Sequence, residues 1–179
     1  MRIFYDTEFL DDGRTIDLIS IGMVAEDGRE IYAVSSQFDQ AAVQRHGWLM
    51  ANVWPSLPIH HNPPGFRGLD RLDITDPDVH PRAQIARMVQ RFILETPDPQ
   101  LWAYYSAYDH VAYAQLFGPM SNLPAGLPMQ TDDLVTEAKR LGLTPADLPQ
   151  QEAGHHNAIA DARHNLVMAQ YLDSIARSR

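Results

Sequence analysis

The chain has 179 residues and a mass of 20.2 kDa, the size of one α/β domain able to bury roughly two-thirds of its unfolded surface, and one domain over residues 1–179 is expected. Hydrophobic residues at 45% and charged residues at 21% exclude a disordered or fibrous chain, and no apolar run reaches the roughly 18 to 20 residues of a membrane span. A net charge of −9 excludes a protein that coats nucleic acid along a long basic groove, but not a small site at which bound cations reverse the local field.

Arg2 to Phe9, Ile16 to Val24 and Glu30 to Ser35 are rich in branched and aromatic residues and read as three successive strands. Asp11-Asp12-Gly13 and Glu26-Asp27-Gly28-Arg29 supply the turns, so the opening is an antiparallel meander. Asp39 is a candidate N-cap for a short helix to about His46, and a second helical piece carrying Trp48, Leu49, Val53 and Trp54 should stop before Pro55. From Pro55 to Pro81 lie six prolines with Gly65 and Gly68, one long irregular segment of the kind that forms lids or partner contacts. Pro81 opens a helix in its first turn, with Ile85, Met88, Val89, Phe92 and Ile93 on its core face. Leu101 to Tyr105 is a fourth strand, and Tyr108 to Phe117 a helix ended by Gly118-Pro119. Asp132 to Leu141 is a helix capped by Thr131 or Asp132, and Asn157 to Ile175 is the last. The rapid acidity after Met1 is unlike a secretory signal and leads to the expectation of a cytoplasmic protein.

With no Cys in the chain, thiol nucleophiles and Cys-ligated zinc are excluded, and any metal must bind through Asp, Glu, His or carbonyls. Asp6-Thr7-Glu8 sends two carboxylates from one face of the first strand and Thr7 from the other. Such a pair is either solvated at a sheet edge or shares a cation. The flanking Phe4-Tyr5 and Phe9-Leu10 and the two hairpin partners that follow place the strand centrally, which favours the cation. Asp109, near the start of the helix after the fourth strand, is either a helix-start acid or a ligand at the end of the sheet where sites gather. His156 and Asp161 straddle the start of the last helix, where both can face the sheet, although the neighbouring His155 leaves the identity of a functional His open. Three or four acids with one imidazole form an oxygen-rich donor set suited to Mg²⁺ or Mn²⁺ rather than zinc.

The order Asp-x-Glu, mid-chain Asp and His-x₄-Asp resembles the His-bearing branch (DEDDh) of the DEDD superfamily of 3′-5′ exonucleases; the sister branch would need a Tyr where Asn157 stands. More narrowly, Phe4-Tyr5-Asp6-Thr7-Glu8-Phe9, Ile19-Ser20-Ile21-Gly22, Ala107-Tyr108-Asp109-His110-Val111 and Gln115-Leu116-Phe117-Gly118-Pro119-Met120 resemble an actinobacterial exoribonuclease family related to ribonuclease T. The resemblance implies an α/β, ribonuclease H-like fold: a mixed five-stranded sheet, its first three strands antiparallel, flanked by helices. It implies two Mg²⁺ ions, with Mn²⁺ as a substitute, held by Asp6, Glu8, Asp109 and Asp161, with Asp6 bridging. His156 is implied as general base, a duty that imidazoles suit at neutral pH. The implied partner is the 3′ end of single-stranded RNA, with nucleoside 5′-monophosphates as products and a homodimer as the assembly. Glu8, Phe9, Leu18 and Tyr108 are candidate substrate contacts, the rings by stacking on bases. Ribonuclease T and oligoribonuclease carry an Asn shortly before the mid-chain Asp; here Tyr104-Tyr105-Ser106-Ala107-Tyr108 precedes Asp109, which implies different contacts to the terminal nucleotide.

A DNA-directed exonuclease of the same fold would share every catalytic residue and is separated only by comparing substrates. A non-catalytic interaction module should lack one of the acids, and all four are present. A zinc hydrolase on His60-His61 or His155-His156 is disfavoured because adjacent histidines diverge and no His-x₃-His pair exists.

Overall fold

Alternation along residues 2–11 buries both faces of one strand. Ile3, Tyr5 and Thr7 leave one side while Phe4 and Glu8 leave the other, each less than 9% exposed. A strand apolar on both faces needs layers above and below it. The computed structural model, which describes residues 1–63 and 68–178, supplies them. The first strand, β1 (Arg2–Asp11), pairs antiparallel with β2 (Ile16–Ala25), which pairs antiparallel with β3 (Glu30–Ser35). Gly28 closes the second hairpin at φ +88°, a conformation that a Cβ would strain.

Three short strands follow: β4 (Ile59–His60), β5 (Arg71–Leu72) and β6 (Val79–His80). Beyond them come β7 (Gln100–Ala103) and β8 (Thr131–Asp133). The main sheet runs β6-β3-β2-β1-β7-β8, with β6, β7 and β8 joined in parallel to their neighbours. β1 is therefore central, flanked by β2 and β7. The sheet is mixed but has six strands, not the five that the resemblance implied. Two of the six, β6 and β8, are edge strands of two and three residues, too short for an alternation to be read. Thr131 and Asp132, expected to cap a helix, belong to β8, and the cap is Asp133, whose carboxylate accepts the Thr136 N–H at 2.7 Å.

Helices α1 (Gln40–Arg45) and α2 (Gly47–Asn52) begin at Asp39 and His46, whose side chains accept N–H groups of the first turn. Then come α3 (Arg82–Leu94), with Pro81 at its N-cap rather than in its first turn, and α4 (Ala107–Gln115). The last are α5 (Leu134–Arg140) and α6 (Ala158–Arg177), the latter capped by Asn157. Ile85, Val89, Phe92 and Ile93 of α3 and Tyr113 of α4 pack on Ile3, Tyr5, Ile21 and Met23 on one face of the sheet. On the other face Leu134 and Ala138 of α5 and Met168, Ala169 and Leu172 of α6 pack on Phe4. A third cluster joins α1, α2 and the β4–β5 hairpin to Ile19 and Val34.

The Pro55–Pro81 segment is not wholly irregular, since it carries β4, β5 and β6; its Pro64 and Gly65 lie outside the described residues. Arg2 ties the start of β1 to the far end of α6 through paired bonds to Asp173 at 3.1 and 2.6 Å. Asn165 in mid-helix donates to the Tyr5 carbonyl at 2.9 Å. These contacts fix α6 across the strand that carries Asp6 and Glu8. Among the described residues no helix is long and apolar enough to cross a membrane.

Candidate active site

Four chain segments meet at one end of β1. Asp6 and Glu8 come from the strand, Asp109 from the first turn of α4, and Asp161 from the first turn of α6. His156 comes from the turn before α6. All five line one cleft of about 510 Å³.

Asp109 reaches this cleft from the opposite helical layer, and Thr7 holds it there. The Thr7 backbone N–H and hydroxyl both donate to Asp109 Oδ1, at 2.8 and 2.6 Å. The residue between the two strand acids thus points away from their face in order to fix the third acid, a role that strand alternation alone did not assign. α6 reaches the site because of Gly22, which lies directly across from Asp6 in the β1–β2 ladder. A Cβ at position 22 would come within 2.4 Å of the Ala158 carbonyl oxygen and of Ile159 Cα. Glycine therefore lets the first turn of α6, and Asp161 with it, settle onto the sheet. The Ile19-Ser20-Ile21-Gly22 stretch held this information only as a motif.

His156 adopts a left-handed backbone, φ +59°, which its surroundings hold in place. Ser56 Oγ donates to the His156 carbonyl at 2.7 Å, and the Trp48 ring meets the imidazole edge-on, 4.8 Å between centroids. Ligand atoms of Glu8, His156 and Asp161 lie within 4.8 Å of one another. Both histidines line the cleft; His156 joins this cluster and His155 does not.

Of the expected substrate contacts, Phe9 and Tyr108 line the cleft with their rings stacked on each other at 5.8 Å and 13°. Leu18, 3% exposed, packs instead into the core under α3 and α4 and takes no part in the cleft wall. Trp48, Tyr104 and Tyr105 also line the cleft; the spacing rules that find ligands carry no signal for such rim aromatics.

The electrostatics are those of negative charge held out of water. Burial pushes the Asp6 carboxyl well above the usual range, and the charges of Asp109, Glu8 and Asp161 push it further. Burial, then Asp161 and Asp109, raise Glu8 to about 8. Asp109 rises to about 6 through burial, although the two Thr7 bonds favour its charged form. Asp161 is raised by burial too, against hydrogen bonds from the Gln151 side chain and the His156 backbone and the pull of His156 and His155. Among the described residues no Arg or Lys forms an ion pair with any of the four. A partly buried cluster of like charges without an Arg or Lys partner is unfavourable unless cations or protons neutralise it. As a donor set of carboxylate oxygens plus one imidazole, it could hold hard divalent cations.

No protein-family model matches the chain. Two curated relatives from Mycobacterium tuberculosis do: 3′-5′ exoribonuclease Rv2179c of strain H37Rv and 3′-5′ exoribonuclease MT2234.1 of strain CDC 1551. Each is 43% identical over 169 residues, covering 93% of this chain and 89% of the relative. Identity at that level along nearly the whole of both chains makes this protein a member of the same 3′-5′ exoribonuclease family as these two relatives.

Proposed function

We propose that the protein is a divalent-cation-dependent exoribonuclease that removes nucleoside 5′-monophosphates one at a time from the 3′ end of single-stranded RNA. The observation that carries the reading is that Asp6, Glu8, Asp109, Asp161 and His156 line one cleft, with ligand atoms of Glu8, Asp161 and His156 within 4.8 Å of one another and no Arg or Lys paired with the four acids among the described residues. Family membership supports the direction and the substrate class. The antiparallel β1–β2–β3 meander extended by parallel β7 and β8, between two helical layers, supports the reading of a ribonuclease H-like fold, and the His156-x₄-Asp161 spacing supports the reading of a DEDDh branch member. A homodimeric enzyme belongs to the same proposal through the resemblance to relatives of ribonuclease T.

In this reading Asp6, Glu8, Asp109 and Asp161 would hold two cations, Mg²⁺ or Mn²⁺. Bound there, they supply a lowered pKa for the attacking water and positive charge opposite the departing 3′ oxygen. His156 takes the proton of the attacking water on its ring nitrogen, and the Glu8 and Asp161 carboxylates beside it compensate the charge it gains. Thr7 keeps Asp109 pointed into the cleft by two hydrogen bonds on one oxygen. Phe9 and Tyr108 supply an apolar wall against which a terminal base can rest.

The test is a 5′-labelled single-stranded RNA incubated with Mg²⁺ or Mn²⁺, beside a DNA oligonucleotide of the same sequence. A descending ladder with released 5′-mononucleotides is expected from RNA. A ladder from DNA alone would reassign the substrate, and inertness toward both would overturn the reading.

A further inference from the structure

Tyr105 is a cleft residue that neither the carboxylates nor His156 needs for their placement. It sits between β7 and α4 with φ +56°, the left-handed region that Cβ sterics disfavour for a bulky side chain. Its ring lines the cleft and yet is 59% exposed, so burial in the core does not account for the conformation. The turn is held from outside instead. The Ser106 N–H donates to Asp133 Oδ2 at 2.9 Å, while the other oxygen of Asp133 caps α5.

The rings around Tyr105 differ in how they are engaged. Tyr108 is stacked face to face on Phe9, and Trp48 meets His156. Tyr105 touches Tyr104 in an edge contact, with the rings at 72° and 4.7 Å between centroids. An edge contact leaves at least one face of Tyr105 uncovered by its neighbour. A disfavoured backbone that presents an open aromatic face beside a catalytic cleft is strain of the kind that functional sites store.

We propose that Tyr105 is a substrate-binding residue whose ring stacks on a base of the single-stranded RNA in the cleft, and that the left-handed turn at this position presents the ring there. The proposal rests on the reading that this cleft receives the RNA 3′ end. Stacking of a base on one aromatic ring is worth roughly a fivefold to hundredfold difference in binding and tolerates any sequence, with larger purines stacking more strongly.

The experiment compares wild type, Tyr105→Asn and Tyr105→Phe on short oligoadenylate and oligouridylate, measuring kcat, KM and Tm. Asn tolerates the left-handed region, so Tyr105→Asn should fold with Tm equal to or above wild type. Its KM for oligoadenylate should rise about tenfold, with a much smaller change in kcat and a smaller rise for oligouridylate. Tyr105→Phe, which keeps the ring, should restore the wild-type KM. A wild-type KM in Tyr105→Asn overturns the proposal, and so does a loss in Tyr105→Phe equal to that in Tyr105→Asn, because the hydroxyl and not the face would then be responsible. His156→Ala, assayed in parallel, separates the two levels. If it abolishes turnover while Tyr105→Asn binds normally, only the Tyr105 proposal fails; if wild type degrades neither RNA, the reading of the cleft fails.

Discussion

The buried carboxylates make a prediction with an unusual sign: removing a charge from the site should stabilise the metal-free protein. Glu8 is 7% exposed and titrates at about 8 in the folded chain, against an ordinary 4.5. The folded state therefore keeps a proton that the unfolded state has already lost. The stability associated with the neutral carboxyl is fully present below pH 4.5 and is lost progressively as pH rises to about 8. Each pH unit in that window corresponds to about 1.4 kcal/mol, so at about pH 7 restoring a proton to Glu8 on folding costs about 3 kcal/mol. Asp109, raised to about 6, acts with the same sign; because the acids repel one another, relief at one eases the others and the contributions do not add. Glu8→Gln removes the titration while nearly keeping the shape. In EDTA at about pH 7, thermal unfolding followed by circular dichroism should show a Tm higher than wild type by roughly 5 to 10 °C, with the difference vanishing near pH 4. Mg²⁺ or Mn²⁺ should raise the wild-type Tm and raise that of Glu8→Gln less. An unchanged or lower Tm for the variant in EDTA would refute the claim that the metal-free site disfavours an ionised Glu8.

Three further substitutions probe the parts separately. His156→Ala should lose a factor of 10² to 10⁴ in kcat, roughly the span of general base catalysis, while keeping the Tm increase on adding Mn²⁺; wild-type turnover would remove the imidazole from the mechanism. Gly22→Ala should force α6 off the sheet, since the new Cβ would lie 2.4 Å from backbone atoms of Ala158 and Ile159. It should lower stability by about 1–3 kcal/mol and weaken the Mn²⁺-induced Tm shift, and a silent Gly22→Ala would contradict the placement of Asp161. Thr7→Val keeps the side-chain shape but removes one of the two hydrogen bonds to Asp109 Oδ1. With a bond to a charged group worth about 1.5–3 kcal/mol, kcat should fall roughly tenfold or more and the Mg²⁺ requirement should rise; an unchanged Mg²⁺ titration would contradict the role given to Thr7.

The elements that sequence periodicity located were those that bury a repeating face. β1, β2 and β3 are runs rich in branched and aromatic residues, α3 and α6 carry apolar residues at a period of about 3.6, and the structure places each within a residue or two of expectation. β6 and β8 did not announce themselves, because two or three residues at a sheet edge have no period and Thr131-Asp132-Asp133 has the composition of a helix cap. Asp6 and Glu8 were visible because carboxylates in a central strand are out of place, whereas Asp109 and Asp161, in first helical turns, stood out only through the order and spacing of a family pattern. The supports were not visible: Gly22 acts through the approach of a helix 136 residues further along the chain, as read from Ala158, and Thr7 acts on Asp109 across 102 residues. Tyr105 was visible only as a departure from a family pattern, and its left-handed backbone required coordinates.

The central claim is that Asp6, Glu8, Asp109 and Asp161 together hold divalent cations. Crystals of the wild-type protein grown with Mn²⁺ and a 5′-mononucleotide, measured for the anomalous scattering of manganese, test it most directly. The account predicts two anomalous peaks ligated by these four carboxylates, and at most one in Asp6→Asn crystals. Manganese peaks elsewhere, with none between β1 and the first turn of α6, would contradict it.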